Sequence, residues 1–110
     1  MEISISQQSQ AVVVAVKGRM DAVSAPAFER TMADHIAAGG SRFVIDCAAL
    51  EYISSAGLRS LLTAAKTLKV RNGELACVAL TDVVREVFEI AGFAAIFLIF
   101  DSVEAALEQW

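Results

Sequence analysis

"EYISSAGLRSLLTAAK", residues 51–66, joins a β-like run to a helix-like run through two adjacent serines, Ser54 and Ser55. Beyond them, Leu58, Leu61, Leu62, Ala65 and Leu68 share one helical face, while Arg59, Thr63 and Lys66 share another. The spacing predicts a helix over 58–70, stopped at Asn72-Gly73. Upstream, "RFVIDC" (42–47) reads as a strand, and "AALEYISS" (48–55) as the connection from strand to helix. The unit is strand–loop–helix, and the alternation it begins runs on to the end of the chain.

Working outward, "ELACVAL" (74–80) is a strand. Thr81 or Asp82 can cap a helix whose apolar residues are Val83, Val84, Val87, Phe88 and Ile90, with Gly92 ending it. "AIFLIF" (95–100) reads as a strand and "SVEAALEQ" (102–109) as a short closing helix capped by Ser102. Toward the N-terminus, "AVVVAVKG" (11–18) is a buried strand ended by Gly18. "EISISQ" (2–7), with Ile3 and Ile5 on one side, is an edge strand. The loop "RMDAVSAP" (19–26) leads into a helix over 25–38, with Ser24 as N-cap and Pro26 in the first turn. Phe28, Met32, His35 and Ile36 carry its periodicity, and Gly39-Gly40 stops it. The order β-β-α-β-α-β-α-β-α predicts a single-domain α/β fold over 1–110. Its sheet is mixed and mostly parallel, of about five strands, flanked by about four helices joined by right-handed crossovers. The first strand adds antiparallel at an edge.

Composition sets limits on function. Apolar residues make up 56% and charged residues 20%, which excludes a disordered chain. A net charge of −4 lacks the basic footprint that a nucleic-acid partner requires. No apolar run reaches membrane-span length and no secretory leader opens the chain, so a cytoplasmic monomer without membrane attachment is expected. Cys47 and Cys77 lie in apolar runs and read as reduced, buried thiols. No metal or cofactor is expected. His35, the sole histidine, reads as a surface or helix-end residue, and Trp110 as a cover over apolar surface.

The loops leaving the strands at their C-terminal ends form one edge of such a sheet. That places Asp21, Ser24, Ser54 and Ser55 on the same side. A serine N-cap is worth about 1 kcal/mol, and one serine suffices for it. If Ser55 caps, the third helical position is Leu58; if Ser54 caps, it is Gly57, and neither can reach back as Glu or Gln does. Gly57 costs the helix up to about 1 kcal/mol relative to Ala. It reads as stability exchanged for access to the backbone. A serine nucleophile needs a base and a phosphate-cradling loop needs more glycines and a lysine; neither is present. A serine that receives a phosphate fits better, because a helix N-terminus favours negative charge.

"IDCAALEYISSAGLRSLLTAAK" (45–66) resembles the signature of the STAS domain, and specifically of bacterial anti-sigma factor antagonists. "VKGRMDAVSAPAFE" (16–29) is similar to that family's first loop, and "VVREVFEIAGFAAIFLIFDSVEAAL" (83–107) to its C-terminal third. The resemblance covers nearly the whole chain. It implies a partner-switching protein. The unmodified form binds an anti-sigma factor that is also a serine kinase, and so frees a sigma factor or an equivalent target. Phosphorylation weakens that binding, and a metal-dependent serine phosphatase reverses it. By position in the motif the acceptor is Ser55, with Ser54 as second candidate; Ser54 stands where the family has Asp. Partner contacts are expected at Asp21, Met20, Ser54, Ala56, Gly57, Leu58 and Arg59, with a core or loop-filling role as the other reading of Met20, a solvated helix face as that of Arg59, and the leucine stripe of the helix read as core. No enzyme activity is implied. The alternative is a STAS module for constitutive docking or small-ligand sensing, with no phosphate switch.

Overall fold

The computed structural model describes residues 1–109. Its elements are β1 (Glu2–Gln8), β2 (Ala11–Met20), α1 (Ala25–Ala37), β3 (Arg42–Asp46), β4 (Leu50–Ile53), α2 (Ser55–Val70), β5 (Glu74–Val78), α3 (Asp82–Ile90), a 3₁₀ turn (Phe93–Ala95), β6 (Leu98–Phe100) and α4 (Val103–Gln109). The main sheet runs β1-β2-β3-β5-β6, with β4 paired to β2 beside that path. β1 is antiparallel to β2, as expected of the edge strand, and the other pairings are parallel.

Period-two alternation splits β2 between two cores. Val12, Val14 and Val16 face the helical layer with Phe28, Met32, Leu61 and Phe88. Ala11 and Val13 face the other way, with Val44, Ala76, Val78 and Ala106 of α4. The expected leucine face of α2 supplies Leu58, Leu61 and Leu68 as buried residues, with Leu62 and Ala65 packed at the margin. Cys47 and Cys77 are free and fully buried. The Cys47 side chain beside it, together with burial, pushes the Cys77 thiol well up. Trp110 lies outside the described residues.

Four expectations need correction. Residues 48–55 are not a simple loop: Leu50–Ile53 form β4, so the described residues contain six strands. Gly18 does not end β2. It takes a φ of +96° at a register shift, and the strand continues through Arg19 and Met20 to pair with β4. The last strand begins at Leu98, because Phe93–Ala95 form a 3₁₀ turn that lets Phe97 stack near Phe88 and Phe93, at 5.9 and 5.6 Å between centroids. Ser24 makes no side-chain cap on α1 and is used in the preceding turn. Thr81 and Ser102 do cap their helices, accepting from the Val84 and Ala105 N–H groups.

α2 starts at Ser55, three residues before the apolar periodicity reveals it. Gly57 is buried there, not open to solvent as its sequence context suggested. A Cβ at this position lies 2.7 Å from the Met20 carbonyl oxygen and 2.7 Å from Ile53 Cγ1. The missing side chain lets the helix start sit directly on the ends of β2 and β4. Gly57→Ala is therefore expected to destabilise the protein by about 1–3 kcal/mol through overpacking, despite the better helix propensity of Ala. A urea titration showing a lower midpoint at unchanged slope checks this; a raised midpoint contradicts it.

Candidate functional site

The site is assembled by the last rungs of the β2–β4 pairing. Arg19 sits opposite Tyr52 and Met20 opposite Ile53. The Ser54 N–H then donates to the Met20 carbonyl at 2.9 Å, extending the ladder by one bond. Asp21 and Ser54 thus leave neighbouring strands side by side, each opening a connection to a helix.

On the β2 side the turn is held by short polar contacts. Ser24 Oγ accepts from the Asp21 N–H at 2.9 Å and donates to the Arg19 carbonyl at 2.9 Å. Asp21 Oδ1 accepts from the Val23 and Ser24 N–H groups, both at 3.1 Å. The Ser24 amide is the main cause that holds the Asp21 carboxyl below the usual range, with the Ser24 hydroxyl, the Val23 amide and the Arg19 charge adding to it. The Arg19 guanidinium lies 4.2 Å from the centroid of the Tyr52 ring, and its Nε is 3.9 Å from Asp21 Oδ2. No local sequence pattern pairs Arg19 with Tyr52. Recognising β4 is the signal that pairs them.

On the β4 side the two serines divide the work. Ser54 is the N-cap, with extended backbone, and its Oγ accepts from the Gly57 N–H at 3.3 Å. Its carbonyl accepts from the Leu58 N–H at 2.9 Å. Ser55 is the first residue of α2 and is exposed, and no other described group engages its hydroxyl. Arg59, four residues on, is exposed on the same helix flank. The first turn of α2 contains no acidic residue, which leaves the helix dipole there uncompensated, and the nearby carboxylate is Asp21 on the adjoining turn.

Of the residues expected at a partner surface, the structure brings Asp21, Ser54, Ala56 and Arg59 to solvent or to its margin. It does not bring Met20 or Leu58 there. Their side chains are 0% and 4% exposed, and Gly57 is buried beneath the helix start. Apolar side chains at these positions face the helical core by strand and helix period, so all three support the surface from below. Ser24 is present but spent on the turn. His35 lies ten residues into α1, about 15 Å along the helix from its start, with Nδ1 against the Thr31 carbonyl. Among the described residues, no hydrogen bond joins its ring to Ser54 or Ser55.

The Asp21 turn carries a pH signature. Because folding lowers this pKa, the charged carboxylate favours the folded turn. That contribution is in place above the ordinary Asp value of about 3.9 and vanishes as pH falls through the lowered one. Asp21→Asn, which keeps an oxygen acceptor but loses the charge, should melt below wild type at pH 7. The gap should close in acid. A gap independent of pH contradicts this account of the turn.

Residues 2–106 match the STAS domain. A Bordetella bronchiseptica protein, BtrV, named as an anti-sigma factor antagonist, is 39% identical over 106 residues, spanning 96% of this chain and 91% of its own. A Thermotoga maritima structure, also named as an anti-sigma factor antagonist, superposes with a TM-score of 0.93 at 18% identity, covering 97% of this chain and 92% of that one. The Bacillus cell-fate determinant SpoIIAA, in its phosphorylated form, shares the fold with a TM-score of 0.76 at 16% identity, over 98% of each chain. With a sheet, a helix order and a sequence that all agree, this chain belongs to the STAS-domain family of bacterial anti-sigma factor antagonists, non-catalytic modules of partner switching.

Proposed function

We propose that this chain is a phosphorylation-switched interaction module with Ser55 as its acceptor. The unmodified form binds an anti-sigma factor with serine kinase activity and frees a sigma factor or an equivalent target. Phosphate on Ser55 weakens that binding, and a metal-dependent serine phosphatase restores it. All of this takes place in the cytoplasm. The observation that carries the assignment is the division between the serines: Ser54 is committed to the cap, while Ser55 is exposed with its hydroxyl unengaged. The name of BtrV and the existence of a fold relative in phosphorylated form support the same reading.

The chemistry is electrostatic. A phosphoserine carries roughly −1.5 to −2 charges at neutral pH. At the first position of α2 it meets the positive end of the helix dipole, so the modified chain has no reason to unfold. Ser54 in the preceding position adds no negative charge beside it. Arg59, one turn along, can pair with the phosphate or with an acidic patch on the kinase. Asp21 and the Arg19–Tyr52 pair flank the acceptor and give the partner a mixed-charge edge to read.

The test is intact-mass spectrometry after incubation with ATP and lysate of the source bacterium. Wild type and Ser54→Ala should each gain one phosphate, and Ser55→Ala none. Ser54→Ala should also lose about 1 kcal/mol of stability, because the cap is gone. Phosphate lost with Ser54→Ala and retained with Ser55→Ala contradicts the acceptor assignment. Absence of phosphate from every sample, with the kinase active on a control substrate, favours constitutive docking.

A further inference from the structure

The segment after residue 81 differs in charge from the rest of the chain, with Glu104 and Glu108 on α4, across the sheet from α3. After residue 81 there are six carboxylates and one base, Arg85, a balance of −5. The first 81 residues carry eight bases and seven acids, a balance of +1. The whole net charge of −4 therefore arises beyond the α2–β5 unit. The same segment leaves large apolar side chains uncovered. Ile90 is 80% exposed, Ile96 58%, Val83 55% and Leu98 44%.

These residues follow the local geometry. α3 buries Val84 and Phe88, so Val83, Glu86 and Ile90, at steps of three and four, form its outer strip. The 3₁₀ turn packs Phe93 and Phe97 inward and leaves Ala94, Ala95 and Ile96 outside. β6 is the last strand of the sheet path, and Leu98 opens it. Glu86 and Glu89 on α3 and Asp101 directly after β6 are exposed around this apolar surface. Arg85, half-buried one turn before Glu89, is the one base on α3. An uncovered apolar patch rimmed mainly by carboxylates is the form of a protein-binding surface.

We infer that the outer face of α3, the 3₁₀ turn and β6 form a second docking surface, which takes a partner segment of apolar residues flanked by Lys or Arg. Charge selects this occupant. A second copy of the chain brings carboxylates against carboxylates, whereas a basic amphipathic segment places its cations on Glu86, Glu89 and Asp101 while burying its apolar side chains on Ile90, Ile96 and Leu98. The surface does not include Ser55.

The experiment measures binding of a labelled amphipathic Leu/Lys peptide to the full chain by fluorescence anisotropy, with a Leu/Glu peptide of matching pattern as comparison. The Leu/Lys peptide should bind and the Leu/Glu peptide should not. Ile90→Ser with Ile96→Ser should weaken binding about tenfold or more. Glu86→Lys with Glu89→Lys should weaken it similarly, whereas Glu2→Lys with Asp34→Lys, an equal charge change on β1 and α1, should shift it less than about twofold. Ser55→Asp should leave it unchanged. Equal binding of both peptides, or equal loss with either pair of lysine variants, overturns the proposal. So does concentration-dependent dimerisation of the wild type, in sedimentation, that Ile90→Ser with Ile96→Ser abolishes, because a second copy is then the occupant.

Discussion

The close seating of the α2 N-terminus on the end of β2 is the constraint on which the rest of the site depends. A helix start without a side chain at Gly57 comes close enough for Met20 to lie beneath it, and the Ser54 N–H closes the gap onto the Met20 carbonyl. A parallel β2–β4 pair needs the bulge at Gly18 to turn β2 away from β3 and toward β4. With those in place, the Asp21 turn and the serine cap are neighbours by backbone geometry. No long side chain has to reach across to hold them together.

This arrangement explains why two adjacent serines can have separate jobs. The cap fixes one hydroxyl and one carbonyl of Ser54 in the helix start. The chain then turns into helical backbone, and the next side chain points outward. A rigid platform beneath an exposed hydroxyl suits a modification that changes the surface charge and leaves the core alone. A charge left unpaired in an interface costs on the order of 2–5 kcal/mol, which is roughly a thirty- to several-thousand-fold change in affinity. A phosphate at an interface therefore has the energetic size that the proposed exchange of partners requires.

Much of the framework is legible in the sequence, and the parts that are not share a cause. Valine-rich runs and leucine periodicity mark β2, β3, β5 and α2 because burial on one or both faces writes itself into composition. β4 escapes that reading. Leu50 and Ile53 are both buried three residues apart, so the period of two is broken over only four residues. The start of β6 escapes because "AIFLIF" is apolar throughout and no period separates Phe97, which is buried, from Ile96, which is not. The choice between Ser54 and Ser55 as cap rests on a tertiary bond to Met20, and no local pattern records it. Gly57 shows the same limit. Glycine in a first turn signals that a side chain is unwelcome, but whether solvent or another strand lies above it depends on the unseen β4. Arg19 and Tyr52 become partners only once that strand is in register.

The proposed switch requires that charge on Ser55 alone, without refolding, weaken binding to the proposed anti-sigma factor kinase. Isothermal titration of the purified kinase with wild type and with Ser55→Asp, alongside circular dichroism of both, tests it most directly. The account predicts identical spectra and an affinity at least about thirtyfold weaker for Ser55→Asp. Equal affinities with identical spectra contradict it.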